Sequence, residues 1–184
     1  MNPHFWWYLS RASGMVAWAV AGATCLWGIL LVTRMLKPAD RPAWLLDLHR
    51  WLGALTIATV AVHLGALVAD SNPYVYFGWR ELFVPQGSPW RRAAVTWGVI
   101  AFYILVVVQL TSLVMKKLPK RLWRAVHLCS YAMFVMATVH GFLAGSDASQ
   151  LVFIVVASAG CGVMLFATVA RVLQARAKRM PKPA

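Results

Sequence analysis

The sequence predicts an all-α membrane protein, a five-helix transmembrane bundle with its N-terminus outside and its C-terminus in the cytoplasm. Three observations carry that expectation. The chain is 61% hydrophobic and only 12% charged, with mean hydropathy +0.66, about half the charge of an ordinary soluble domain. Its apolar residues fall into five runs, each long enough to cross a hydrocarbon core of roughly 30 Å as a helix. Its basic residues crowd into alternate connections between those runs.

A spanning backbone in lipid must satisfy its own hydrogen bonds, so each run reads as a helix. The first, Ala12–Thr33, holds 22 residues without a charge. A signal peptide has an apolar stretch of about 7–15 residues behind a basic start. Here "MNPHFWWYLSR" opens on aromatics, so the run is read as a retained membrane helix. The apolar cores Trp51–Ala69, Ala93–Met115, Ala125–Ala144 and Leu151–Ala170 follow. With their flanking turns, the spans are approximately 12–33, 45–69, 93–115, 121–144 and 151–173. No internal repeat and no soluble domain stand beside them, so residues 1–184 form a single transmembrane domain.

Lysine and arginine placement sets the direction. Arg34, Lys37, Arg41 and Arg50 follow the first span, and Lys116, Lys117, Lys120, Arg121 and Arg124 the third. Arg171, Arg176, Lys178, Arg179 and Lys182 follow the fifth, which puts 14 of the 18 basic residues on one side. Cytoplasmic loops collect such residues. The expected location is the inner (cytoplasmic) membrane, multi-pass, with membrane lipid as the surrounding partner. The net charge of +13 is spread over short clusters rather than one face, which argues against nucleic acid as a partner.

Residues 70–92 face outward in this topology. Tyr74, Tyr76, Phe77, Trp79, Phe83 and Trp90 suit a segment lying in the outer interface, where amphipathic rings are favoured. A docking surface for an external partner is the alternative. Cys25, Cys129 and Cys161 each sit in an apolar run without a CxxC spacing, and read as small buried hydrophobes.

The chain has five histidines, and four lie in two membrane-grade segments. His49 and His63 are 14 residues apart in "DLHRWLGALTIATVAVHLGAL"; His127 and His140 are 13 apart in "RLWRAVHLCSYAMFVMATVHGF". Spans two and four run in the same direction, so His49 and His127 share the cytoplasmic half, and His63 and His140 the outer half. Along a helix the separations are about 21 Å and about 19.5 Å, which defines two matched levels. Haem iron takes an axial ligand on each ring face, and neutral imidazole is a standard one. Two facing helices with two histidines each would clamp two b-type haems. Zinc or iron held by protein alone wants carboxylates or thiolates close by, and the apolar cores of the spans offer no carboxylate. Histidines that merely bridge helices are the non-redox alternative. The spacing of 13 is awkward, because it turns the second ring by about 140° where 14 turns it by about 40°. Helix tilt, a local irregularity or a shifted haem is then required. His4 is read as exposed rather than as a ligand.

"LHRWLGALTIATVAVH" and "KRLWRAVHLCSYAMFVMATVH" resemble the haem-binding helices of the ferric reductase-like transmembrane superfamily. NADPH oxidases, ferric reductases and the haem subunit of a methionine sulfoxide reductase system belong to it. The 14 and 13 spacings, Arg50 after the first histidine, and Trp123 and Tyr131 flanking His127 carry the likeness. Stretches such as "NPYVYFGW" and "WRAVH" are similar to stand-alone actinobacterial-type members. The resemblance implies His49 with His127 and His63 with His140 as axial pairs. It also implies electron flow from a cytoplasmic flavin to an acceptor outside.

Arg11 matches an arginine placed near the outer haem in the oxidase branch; an interfacial anchor is its other reading. Where that branch has a polar residue four positions after the outer histidine, Leu67 stands here, so the likeness stops short of oxygen reduction. Arg50, Arg121 and Arg124 suit haem propionates, and positive-inside anchoring explains them equally. Six helices are usual in the family, and the expectation here is five, with the basic tail "RVLQARAKRMPKPA" carrying no flavin domain. A separate cytoplasmic flavin reductase or a quinol is therefore the expected donor, with a redox partner outside. The functional expectation is a membrane cytochrome b, an electron-transfer component of an oxidoreductase. The alternative is a quinone-linked haem b subunit.

Overall fold

The computed structural model describes residues 4–38, 41–70 and 76–178. These residues hold helices α1 (Phe5–Thr33), α2 (Pro42–Ala69), α3 (Trp79–Phe83), α4 (Arg92–Leu113), α5 (Lys120–Ala144) and α6 (Leu151–Ala177), and no strand. All but α3 are long and apolar enough to cross a membrane. The chain is an all-α, multi-pass membrane protein.

The helix ends follow from local chemistry. Pro42 opens α2 at a first-turn position, where its missing amide costs nothing and its fixed φ suits a helix. A 3₁₀ turn, Met115–Lys117, closes α4 among lysines. α1 starts at Phe5 rather than at the expected Ala12, so Arg11 lies inside the helix. The physical reason is a partner: Asp147 in the α5–α6 turn takes its charge.

α1 packs along α2, and α4 along α5, as two antiparallel hairpins; α5 and α6 also touch α1. α2 and α5 do not pack closely along their backbones. The buried stripe of α1 is Ser10, Ser13, Ala17, Ala21, Cys25, Ile29 and Thr33. Small residues at this period let helix axes approach, which is how spanning helices gain contact without a hydrophobic drive between them. Cys25 lies in this core beside Phe134 and Met164. Cys129 is exposed, Cys161 half-buried, and all three are free thiols.

The connection after α2 divides its aromatics. Phe77 and Leu82 are buried against Val95 and Val99 of α4, and Trp90 meets Phe77 edge-on at 6.0 Å. Tyr76 and Trp79 stay exposed. Tyr74, like Arg179 and Lys182 of the tail, lies outside the described residues.

Candidate functional site

α2 and α5 meet through their histidines. The ring centres of His49 and His127 are 5.9 Å apart, and those of His63 and His140 are 6.4 Å apart. α5 runs unbroken from Lys120 to Ala144. No break in α5 therefore accounts for the 13-residue offset.

Each ring is held from behind by its own hairpin. In the first hairpin, His49 Nδ1 donates to the Thr24 carbonyl at 3.0 Å, and His63 Nδ1 to the Ser10 carbonyl at 2.8 Å. In the second, His140 Nδ1 donates to the Ala94 carbonyl at 2.8 Å. His127 Nδ1 meets the Ser112 hydroxyl at 3.3 Å. That hydroxyl donates its own hydrogen to the Val108 carbonyl, so it accepts from His127. A carbonyl can only accept, which fixes the proton on Nδ1 and leaves Nε2 with a free lone pair. This is the arrangement of metal-bound imidazoles.

Glycines make room for the rings. A Cβ at Gly14 would come 3.0 Å from His63, one at Gly28 3.2 Å from His49, and one at Gly98 2.7 Å from His140. Trp123 stacks on His127, with ring centres 5.1 Å apart. Between the two pairs, Trp18 and Phe134 stack at 5.6 Å, and Trp18 donates to the Thr138 hydroxyl at 2.9 Å.

The donor set fits haem on three counts. An iron between two imidazoles needs two metal–nitrogen bonds of about 2.0 Å plus about 1.1 Å from each nitrogen to its ring centre, roughly 6.2 Å in all. The observed 5.9 and 6.4 Å bracket that value. Among the described residues, no three of His, Cys, Asp and Glu gather as a metal cluster, so each pair offers two ligands only. Porphyrin brings the remaining four nitrogens itself. Finally, the indole nitrogens of Trp27 and Trp123 are buried without a partner. Trp27 adjoins Gly28 and Trp123 covers His127, so both are donors that a propionate carboxylate would satisfy.

The predicted arginines lie in different settings. Arg11 forms a two-pronged pair with Asp147, its Nε donating to Oδ2 at 3.1 Å and its terminal nitrogen meeting Oδ1. Both residues line a cavity of about 680 Å³ that reaches His63 and His140. Arg50 is exposed and pairs with Asp47 at 3.5 Å, one turn away on its own helix. Arg124 is exposed one turn before His127. Sequence reasoning missed Asp147, Ser112 and the three glycines. Gly14 and Gly28 do carry a signal, since their 14-residue spacing equals that of the histidines they face.

A family model described as ferric reductase like transmembrane component matches residues 13–138. The match contains His49, His63, His127, all three glycines and Ser112, and ends two residues before His140. No curated protein and no solved structure matches the chain.

Proposed function

The chain belongs to the ferric reductase-like transmembrane component family, and from that premise we propose that it is a membrane cytochrome b with two bis-histidine b-type haems. In this reading, residues 1–184 are one haem-binding domain of the inner membrane, carrying electrons from a cytoplasmic flavin donor to an acceptor outside. His49 and His127 would hold one haem and His63 and His140 the other. When bound, each haem supplies a one-electron couple whose potential the protein sets.

The rest is the work of the chain. The Nδ1 donations aim four neutral imidazoles across the space between the hairpins. Trp18 and Phe134 place apolar surface in the layer between the levels. Trp27 and Trp123 offer indole donors at the His49/His127 level, where Arg124 also lies. Arg50 joins them as a propionate partner by leaving Asp47. Arg11 stands at the other level, on the wall of the cavity that reaches His63 and His140. By the positive-inside rule the basic connections support a cytoplasmic position for the His49/His127 end.

The observation that carries the reading is the pair of ring separations, 5.9 and 6.4 Å, in a set with two ligands at each level. Purification after expression with ample haem supply tests it. The expected result is about two b-type haems per chain, low-spin and weakly reactive to carbon monoxide when reduced, because both axial positions are filled. Protein that is folded and free of haem absorbance would overturn it.

A further inference from the structure

In an α-helix the carbonyl of one residue accepts from the amide four residues on. A histidine from a neighbouring helix reaches that carbonyl over the later residue, and a side chain there blocks the approach. The way is clear three times. Gly14 lies four after Ser10, Gly28 four after Thr24, and Gly98 four after Ala94. Those are the three carbonyls that His63, His49 and His140 use.

The fourth place differs. Ser112 lies four residues after Val108 and 14 after Gly98. Its hydroxyl donates to the Val108 carbonyl at 2.7 Å, so it occupies the acceptor that His127 would otherwise reach. His127 is left with the hydroxyl oxygen at 3.3 Å.

We propose that Ser112 is a positioning residue that makes the His49/His127 site the higher-potential site of the two. The proposal rests on the haem reading above. Donation from Nδ1 makes an imidazole a more basic ligand, which favours ferric over ferrous iron and lowers the potential. At the His63/His140 level both donations go to carbonyls at 2.8 Å. At the His49/His127 level they are 3.0 Å to a carbonyl and 3.3 Å to a hydroxyl. The second level therefore holds the less basic ligand pair.

Two substitutions push in opposite directions. Ser112→Ala keeps the Cβ that blocks the approach and removes the hydroxyl, so His127 loses its acceptor. Ser112→Gly clears the approach and gives His127 the Val108 carbonyl. Redox titration of the haem-loaded protein, followed optically, should resolve two steps in the unsubstituted chain. The higher step should rise in Ser112→Ala, fall in Ser112→Gly, and stay in place in Ser112→Thr, while the lower step does not move. The expected shift is severalfold, up to about tenfold, in the reduced-to-oxidised ratio at fixed ambient potential, where tenfold is about 59 mV for one electron. Shifts of the same sign in Ala and Gly, movement of the lower step, unchanged steps, or loss of one haem would each overturn the proposal. An unsubstituted protein without haem would instead overturn the underlying reading, and its spectrum shows that before any variant is titrated.

Discussion

Each histidine commits one ring nitrogen to its own hairpin and turns the other toward the facing hairpin, so the residues act in pairs. His49→Ala and His127→Ala should each remove the same haem, and His63→Ala and His140→Ala the other. The double substitution within a pair should add little, since one missing ligand already empties the site. Haem content and the spectra of the four variants check this; a haem lost in common by His49→Ala and His140→Ala contradicts the pairing. The glycines make a graded prediction. A Cβ at Gly98 comes closer to its histidine than one at Gly14 or Gly28, so Gly98→Ala should be the most damaging of the three. Overpacking of this kind costs about 1–3 kcal/mol, and it should loosen the His140 site first, measured as haem lost during mild thermal challenge. The histidines were legible because a polar ring in an apolar run stands out at once. Their acceptors were not, because Thr24, Ser10 and Ala94 act through backbone carbonyls, which no side-chain pattern records. Ser112 becomes meaningful only once α4 is known to back α5.

Helix number and extent follow from apolar run length, and four of the five spans start within three residues of their expected positions. α1 is the exception, because a charge normally ends a span and Arg11 does not. Its partner Asp147 lies 136 residues away, beyond the reach of any local pattern. The pair ties the start of α1 to the α5–α6 turn, and with side chains 31% and 19% exposed it stands between surface and buried pairs. Removing either partner should cost about 1–3 kcal/mol. Arg11→Ala and Asp147→Ala should lower thermal stability alike, with the double variant no worse than either. Arg11→Lys should recover only part of the loss, because an ammonium lacks the planar fork. A double variant equal to the sum of the singles would remove the pair as the cause. The connection after α2 was half legible: its aromatics were evident, but the inward turn of Phe77 depends on the α4 surface it meets.

At the scale of the molecule the question is direction, and the two hairpins give the path its ends. The ligand levels lie about 20 Å apart along the helices, with Trp18 and Phe134 between them, so no bulk carrier need enter the bundle. Lysine and arginine collect at the His49/His127 end, which the positive-inside rule assigns to the cytoplasm. Electrons should therefore enter at that level and leave by the His63/His140 level. On the proposed order of potentials the second hop is uphill, and exit should then depend on the outer acceptor drawing electrons away. The test is sided. In oriented vesicles, a flavin reductase with reduced nicotinamide is supplied at the basic face, and an impermeant oxidant is trapped at the other. Reduction of the oxidant should require His49, His63, His127 and His140 together, and reversing the vesicles should abolish it. If quinol reduces the protein far faster than the flavin system, the quinone-linked alternative takes the place of the flavin donor. If a trapped oxidant is reduced equally from both faces, the assignment of levels to leaflets fails, while the ligand pairs stand on their own geometry.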